Sequence, residues 1–275
     1  MLDPVQRDER SVLGAHYEAI TLEIVDDVAT ITLNRPDRLN ACSGRMAAEI
    51  FDALDAVEGK ARALLLTGAG RAFCSGADLQ GSADESVAQG DYVFRALARF
   101  HNPMIHRLMW LPIPVVSAVN GAAAGIGCSI ALAADFVVAA RSAYFLHAFV
   151  NVGLVPDGGS SWLLPRLIGK ARATEMMMLG EKVMADKAEA WGMIHKCVDD
   201  EALAGEAAAL ALRLASGPTV ALGLMRRNLL RGMDSDLSTA FSAEADGQRR
   251  AGDTRDSSEG IAAFRERRSA VFRGA

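Results

Sequence analysis

Ile20, Leu22 and Ile24 alternate with polar neighbours, and Ala29, Ile31 and Leu33 resume the alternation after Asp26-Asp27. A period of two on either side of a short polar break predicts a hairpin of half-buried strands. After Asn34-Arg35-Pro36-Asp37 the period changes. Met46, Ile50, Leu54 and Val57 recur at helical spacing, with Ser43 as N-cap and Gly59 as stop. Ala63 to Thr67 is a short continuous apolar run, which reads as a covered strand. Gly68-Ala69-Gly70 then opens a loop into RAFCSGADL, Arg71 to Leu79. Gln80 to Asn102 is polar and then mildly helical, and is expected to form a mobile flap.

No charged residue falls between Ile113 and Ala134. Val115, Val116 and Val119 predict a buried strand, and Asn120-Gly121 breaks it. Gly125 and Gly127 allow close backbone approach, Cys128 to Ala134 suits a small buried helix, and a second strand follows to Ala140. Unpaired N–H groups at that helix start can hold an anion or a developing oxyanion by backbone dipole alone. On the glycines alone, a tight turn in an α/β core is the plainer reading. Gly153 to Gly159 forms a second glycine-flanked corner, from which a helix restarts at Ser160 with Trp162, Leu163 and Leu167. Ala171 to Leu179 and Lys187 to Trp191 look helical, and Ile194 to Val198 is the last expected strand. Beyond Asp200 the chain reads as helix almost throughout, ending with Gly260 to Phe272. Strands early and helices late predict an α/β core, residues 1–200, with a helical region at 201–275. No clean sequence repeat is visible.

Composition narrows the function classes. No apolar run approaches the roughly 20 residues that cross a bilayer, and MLDPVQRDERS lacks the apolar centre of a secretion signal. Cys42, Cys74, Cys128 and Cys197 are scattered without pairing, so reduced thiols in a cytoplasmic protein are expected, with no metal site. A net charge of −5 opposes nucleic-acid binding. The C-terminal quarter is nonetheless rich in arginine, including Arg226, Arg227, Arg250 and Arg273, and one or two of these could meet a phosphate.

Six segments in order resemble the crotonase (enoyl-CoA hydratase/isomerase) superfamily. They are NRPDRLNACS, RAFCSGADL, PVVSAVNGAAAGIGCSIALAAD, GLVPDGGSSWLLPRLIGKARA, AEAWGMIHKCVDD and EGIAAFRERRSAVF. The resemblance implies a spiral of ββα turns, a C-terminal helical trimerisation region, and a homotrimer or dimer of trimers. It implies an acyl-CoA thioester as substrate, with coenzyme A part of the substrate and no tightly bound cofactor. The family's chemistry holds a thioester enolate on two backbone N–H groups, which carry over here to Ala77 and Ile126. The family usually has glycine where Ile126 stands, and a backbone donor tolerates that change. Arg38, Asn40, Ala41, Ser75, Gly76, Asp78, Leu79, Gly125 and Phe149 are implied as substrate or CoA contacts.

The departures from the pattern bear on the reaction. Family hydratases use two glutamates, and those positions read Ser129 and Phe149. Adding water needs a carboxylate to take its proton and an acid to return one to carbon. Neither residue does this unaided. Asp157 remains, in VPDGG, and the segment around it resembles the branch of ring-epoxide and enoyl-CoA isomerases, where an aspartate at this place is the acid/base. Phe149, Val152 and Leu154 are expected to desolvate it and raise its pKa. Helix N-capping is the alternative role for Asp157.

The expected function is therefore an isomerase that shuttles a proton through a thioester enolate, moving a double bond or rearranging an epoxide ring. A second reading is a hydratase using Asp84, Glu85 or Asp91 from the flap. A third is a catalytically silent CoA-binding or RNA-associated scaffold. His101 and His106 are further proton-donor candidates, and His147 is expected to be a wall residue.

Overall fold

Asp26 and Asp27 adopt φ of 49° and 63°. Positive φ at both central positions gives a turn whose twist suits a two-residue hairpin. It joins β1 (Ile20–Val25) to an antiparallel β2 (Val28–Leu33). The computed structural model describes residues 17–78 and 88–275 of the chain.

Helix α1 (Gly44–Val57) follows, with the Ser43 hydroxyl accepting the Met46 N–H at 3.2 Å. Its apolar stripe, Met46, Ile50, Leu54 and Val57, is wholly buried. Then come three strand pairs: β3 (Ala63–Gly68) with β4 (Ala72–Cys74), β5 (Val115–Val119) with β6 (Ala122–Ala124), and β7 (Phe136–Ala140) with β8 (Tyr144–Leu146). The first member of each pair joins a six-stranded sheet and the second a four-stranded one, in parallel. Helices α2 (Gln89–Ala96) and α3 (Asn102–Met109), linked by a π-helical turn at Leu97–His101, separate the first two pairs. Helix α4 (Ile126–Leu132) separates the second and third. This is the expected ββα spiral. The repeat is invisible in sequence because the second strands read AFC, AAA and YFL, too short to carry a period.

Helix α5 (Ser160–Leu179), β9 (Val183–Met184), α6 (Ala185–Ala190) and β10 (Lys196–Val198) complete the two sheets. Met176 on α5 is buried, while Met178 is exposed. Helix α7 (Leu203–Ala215) packs on β3, β5 and β7 through Leu203, Ala207 and Ala211. The core packing thus runs past residue 200, and the helices standing off the sheet begin with α8 (Thr219–Gly232). Arg226 pins α8 to the core. Its guanidinium pairs with Asp135 and donates to the Leu108 carbonyl at 2.9 Å and to that of Leu111. Helices α9 (Leu237–Gly252) and α10 (Arg255–Glu266) end the chain. The last helix was expected over Gly260 to Phe272. It starts earlier because the Thr254 hydroxyl caps it, accepting the Ser257 N–H at 3.1 Å, and stops at Arg267, whose φ is 56°.

Candidate active site

Leu39 and Asn40, both at positive φ, turn the chain after the helical turn Pro36–Arg38. Asn40 is wholly buried, and its side chain spans the turn. The amide oxygen accepts the Arg35 N–H at 2.9 Å, and the amide nitrogen donates to the carbonyls of Ala69 and Ala72 at 2.9 and 2.8 Å. With both ends occupied, the buried Asn40 side chain holds the loop that was implied as a substrate or CoA contact. Arg35 braces the same loop, donating to the Ala41 carbonyl at 2.6 Å and pairing with Asp78 at 2.8 Å. Asp78 therefore anchors the segment through a guanidinium. Arg38 is exposed beside it, its carbonyl 3.5 Å from the Ser75 hydroxyl.

Cys42 runs parallel to Gly76 and Ala77. Its N–H donates to the Gly76 carbonyl at 2.8 Å, and its carbonyl accepts the Asp78 N–H at 3.0 Å. That register uses the groups flanking Ala77 and leaves the Ala77 N–H without a backbone acceptor among the described residues. Ile126, the first residue of α4, also donates to no backbone carbonyl there, as a first-turn N–H should. Two glycines bring these donors together. Gly76 (φ 117°) lies where a Cβ would come within 3.4 Å of the Ala124 carbonyl. Gly125 (φ 52°) lies where a Cβ would sit 3.6 Å from the Gly76 Cα and 3.8 Å from the Phe149 ring. The two loops are in van der Waals contact, with Phe149 against the corner.

The second glycine corner closes on the first. A Cβ on Gly158 would fall 2.5 Å from the Ile126 Cδ1 and 2.7 Å from the Ser129 Cβ, so only glycine fits between Asp157 and α4. The Ser129 hydroxyl lies 3.1 Å from the Asp157 carbonyl, to which it donates, and 2.7 Å from the Ser160 hydroxyl. Oδ1 of Asp157 is buried without a partner among the described residues, and burial pushes this carboxyl up to about 6. Burial, then Cys74 and then Asp157 raise the Cys42 thiol. Val152 and Leu154, expected to desolvate Asp157, are themselves 61% and 42% exposed.

The histidines separate cleanly. His147 is fully buried, stacked on Phe149 at 5.8 Å, with neither nitrogen partnered among the described residues. Burial pushes it down to about 4, so it is a neutral wall behind the corner. His101 is buried in the π-helical turn, also lowered by burial. His106 is exposed on α3 and lines a cavity of about 950 Å³ that reaches Gly158 and Gly159. Trp110 and Trp162 line it too, and the Arg166 guanidinium lies 4.2 Å from the Trp162 ring centre. Helices α8 and α9 close its far side through Leu230 and Thr239. Leu79, Asp84 and Glu85 lie outside the described residues, and Asp91 is exposed on α2.

The family model for enoyl-CoA hydratase/isomerase matches residues 23–275. A 1,2-epoxyphenylacetyl-CoA isomerase from Escherichia coli (strain K12) is 45% identical over 259 residues, covering 94% of this chain and 99% of its own. A probable enoyl-CoA hydratase from Rhodobacter capsulatus is 41% identical over 258 residues, covering 94% and 99%. Among solved structures, a putative enoyl-CoA hydratase from Streptomyces coelicolor A3(2) superposes over 100% of both chains, with a TM-score of 0.90 and 35% identity. Paired donor loops on a ββα spiral, and matches spanning nearly the whole length, lead to one assignment: the chain belongs to the enoyl-CoA hydratase/isomerase, or crotonase, family.

Proposed function

We propose that this enzyme isomerises an acyl-CoA thioester through its enolate, with Asp157 as the proton carrier and the Ala77 and Ile126 amides on the oxygen. Removing the α-proton places negative charge on the thioester oxygen, and donors already aimed there need no reorganisation. A carboxyl near 6 is mostly ionised at neutral pH, yet its conjugate acid is strong enough to return the proton to another carbon. The observation that carries the reading is the pairing of Ser129 with Asp157. Where a hydratase would place its first glutamate, the serine hydroxyl is engaged with the Asp157 carbonyl and Ser160. The second position is the buried ring of Phe149.

An acyl group of ring size belongs to the same proposal, supported by the cavity that reaches Gly158 and Gly159 and is lined by Trp110 and Trp162. A rearranged epoxide ring and a migrating double bond are the two outcomes of this proposal, and the Escherichia coli relative named 1,2-epoxyphenylacetyl-CoA isomerase supports the first. A homotrimer or dimer of trimers belongs to the same proposal, supported by the exposed Met225, Leu229, Met233, Phe241 and Phe264 on α8 to α10. So does a cytoplasmic setting, supported by the free, buried Cys42, Cys74 and Cys128.

Product analysis on a 3-enoyl-CoA, a 2-enoyl-CoA and an epoxidised phenylacetyl-CoA tests the function. Isomerised product from the first or third supports it. Rapid hydration of the second as the only reaction favours the flap carboxylates and overturns it. CoA binding with no turnover of any of the three returns the silent scaffold.

A further inference from the structure

A second cavity, of about 660 Å³, lies between the Asp27 turn, the Gly59–Arg62 segment, the end of α3 and helices α8 and α9. β2 and β3 each run six residues from its edge at Asp27 and Arg62 toward the donor loops. At about 3.3 Å per residue, roughly 20 Å separates the two places.

The charges around it fall into two sets. Arg62 faces Asp27 at 3.7 Å and donates to the Gly217 carbonyl at 2.6 Å. Arg107 pairs with Asp55 and Glu58, and Arg226 with Asp135. Asp27 and Glu58, the two acids that line the cavity, are thereby engaged. Lys60, Arg227, Arg250 and Arg273 line the same space with no salt bridge among the described residues. Asp246, whose field reaches Arg227 and Arg250, is itself paired with Arg249 at 2.8 Å.

Arg227 is the sharpest feature. Its Nε is buried with no acceptor among the described residues. Burial, then Arg250 and Arg231, oppose its charge. A guanidinium cannot escape such a setting by losing its proton. An anion relieves both the missing acceptor and the repulsion. Forked donors beside several cations match tetrahedral oxygens, and a multiply charged group balances four cations where a single carboxylate would not.

We propose that this cavity binds a phosphate-bearing anion separately from the CoA substrate, with Arg227 and Arg250 as its principal ligands and Lys60 and Arg273 at the rim. The site is independent of the isomerase reading: Lys60, Arg227, Arg250 and Arg273 line this cavity and not the one at Gly158 and Gly159, although Met109 and Trp110 line both.

The test is calorimetric titration of the full-length protein with inorganic pyrophosphate at low salt, with and without saturating CoA. Saturable binding that CoA leaves in place, and that Arg227→Gln and Arg250→Gln each weaken about tenfold (about 1.4 kcal/mol), supports the site. Adding salt should weaken it further. Displacement by CoA would assign the phosphate contacts to the CoA cleft and overturn the proposal. So would the absence of saturable binding, or binding unchanged in both variants. Both arginines lie outside the catalytic corner, so turnover in the variants reports that the fold is intact.

Discussion

The hydroxyl of Ser129 donates to the backbone carbonyl of Asp157 across 3.1 Å, tying the first turn of α4 to the second glycine corner. The helix that presents the Ile126 donor thus also fixes the residue with the raised carboxyl. Ser129 serves as a brace at the position where a hydratase would hold a reacting carboxylate. Ser129→Ala removes this bond and the one to Ser160, with a stability loss of about 1–3 kcal/mol for the groups left unpaired. We expect turnover to fall about tenfold while CoA affinity is unchanged, checked by steady-state kinetics beside thermal unfolding. Unchanged turnover would remove Ser129 from the positioning of Asp157.

Gly125 gives a sharper test of the donor pair. Its φ of 52° is one that a side chain strains, although a methyl group would meet Gly76 and Phe149 only at ordinary contact distance. Gly125→Ala should relieve that strain by rotating the peptide that carries the Ile126 N–H. Loss of one aimed donor is worth about 10²–10³ in rate. The expected outcome is a kcat reduced by that factor with a near-normal circular dichroism spectrum. A kcat within twofold of wild type would show that Ile126 does not hold the oxygen.

The α8–α9 surface predicts the assembly. Leu229 and Phe241 are 71% and 60% exposed, and an apolar surface of this kind is ordinarily covered by a partner. Light scattering should give a trimer or a multiple of it at micromolar concentration. Phe241→Glu should shift the population toward smaller species without unfolding the spiral. A wild-type monomer would end the trimer proposal.

Much of this was legible in the chain. The hairpin, the capped α1, the valine strand β5 and the glycine corners follow from period, caps and breaks, because each is set by local residues. The three-residue strands of the second sheet were not, since Ala122–Ala124 is a strand only through its neighbours in β4 and β8. The donor glycines could be read from motifs, but the roles of their neighbours could not. Asn40 looks like a ligand residue in sequence and proves to be a saturated clamp. Ser129 looks like a lost catalytic group and proves to be a brace. In both cases the role depends on a partner about 30 residues away, which no local pattern encodes. Val152 and Leu154 show the converse: apolar type did not mean burial.

Asp157 links stability and catalysis through one titration. Burial raises its pKa from 3.8 to about 6, so the folded protein holds this proton more tightly than the unfolded chain does. The proton therefore favours the fold below about pH 4, and that contribution is lost as pH rises through about 6. A shift of about two units is worth at most about 3 kcal/mol. Asp157→Asn removes the buried charge but keeps shape and polarity, so it should raise the melting temperature at pH 8 and leave it near wild type at pH 4. Activity should run the other way. Wild-type kcat should fall as pH drops below about 6, where the base becomes protonated. The variant should be slower by about 10²–10⁴-fold at every pH, the usual worth of a general base. In deuterated water the wild type should exchange the α-proton of a bound saturated thioester, and the variant should not. Full activity and exchange in Asp157→Asn would move the base to His101, His106 or a flap carboxylate. A variant that is slow but no more stable at pH 8 would keep Asp157 as the base while showing that its raised pKa is not a cost carried by the fold.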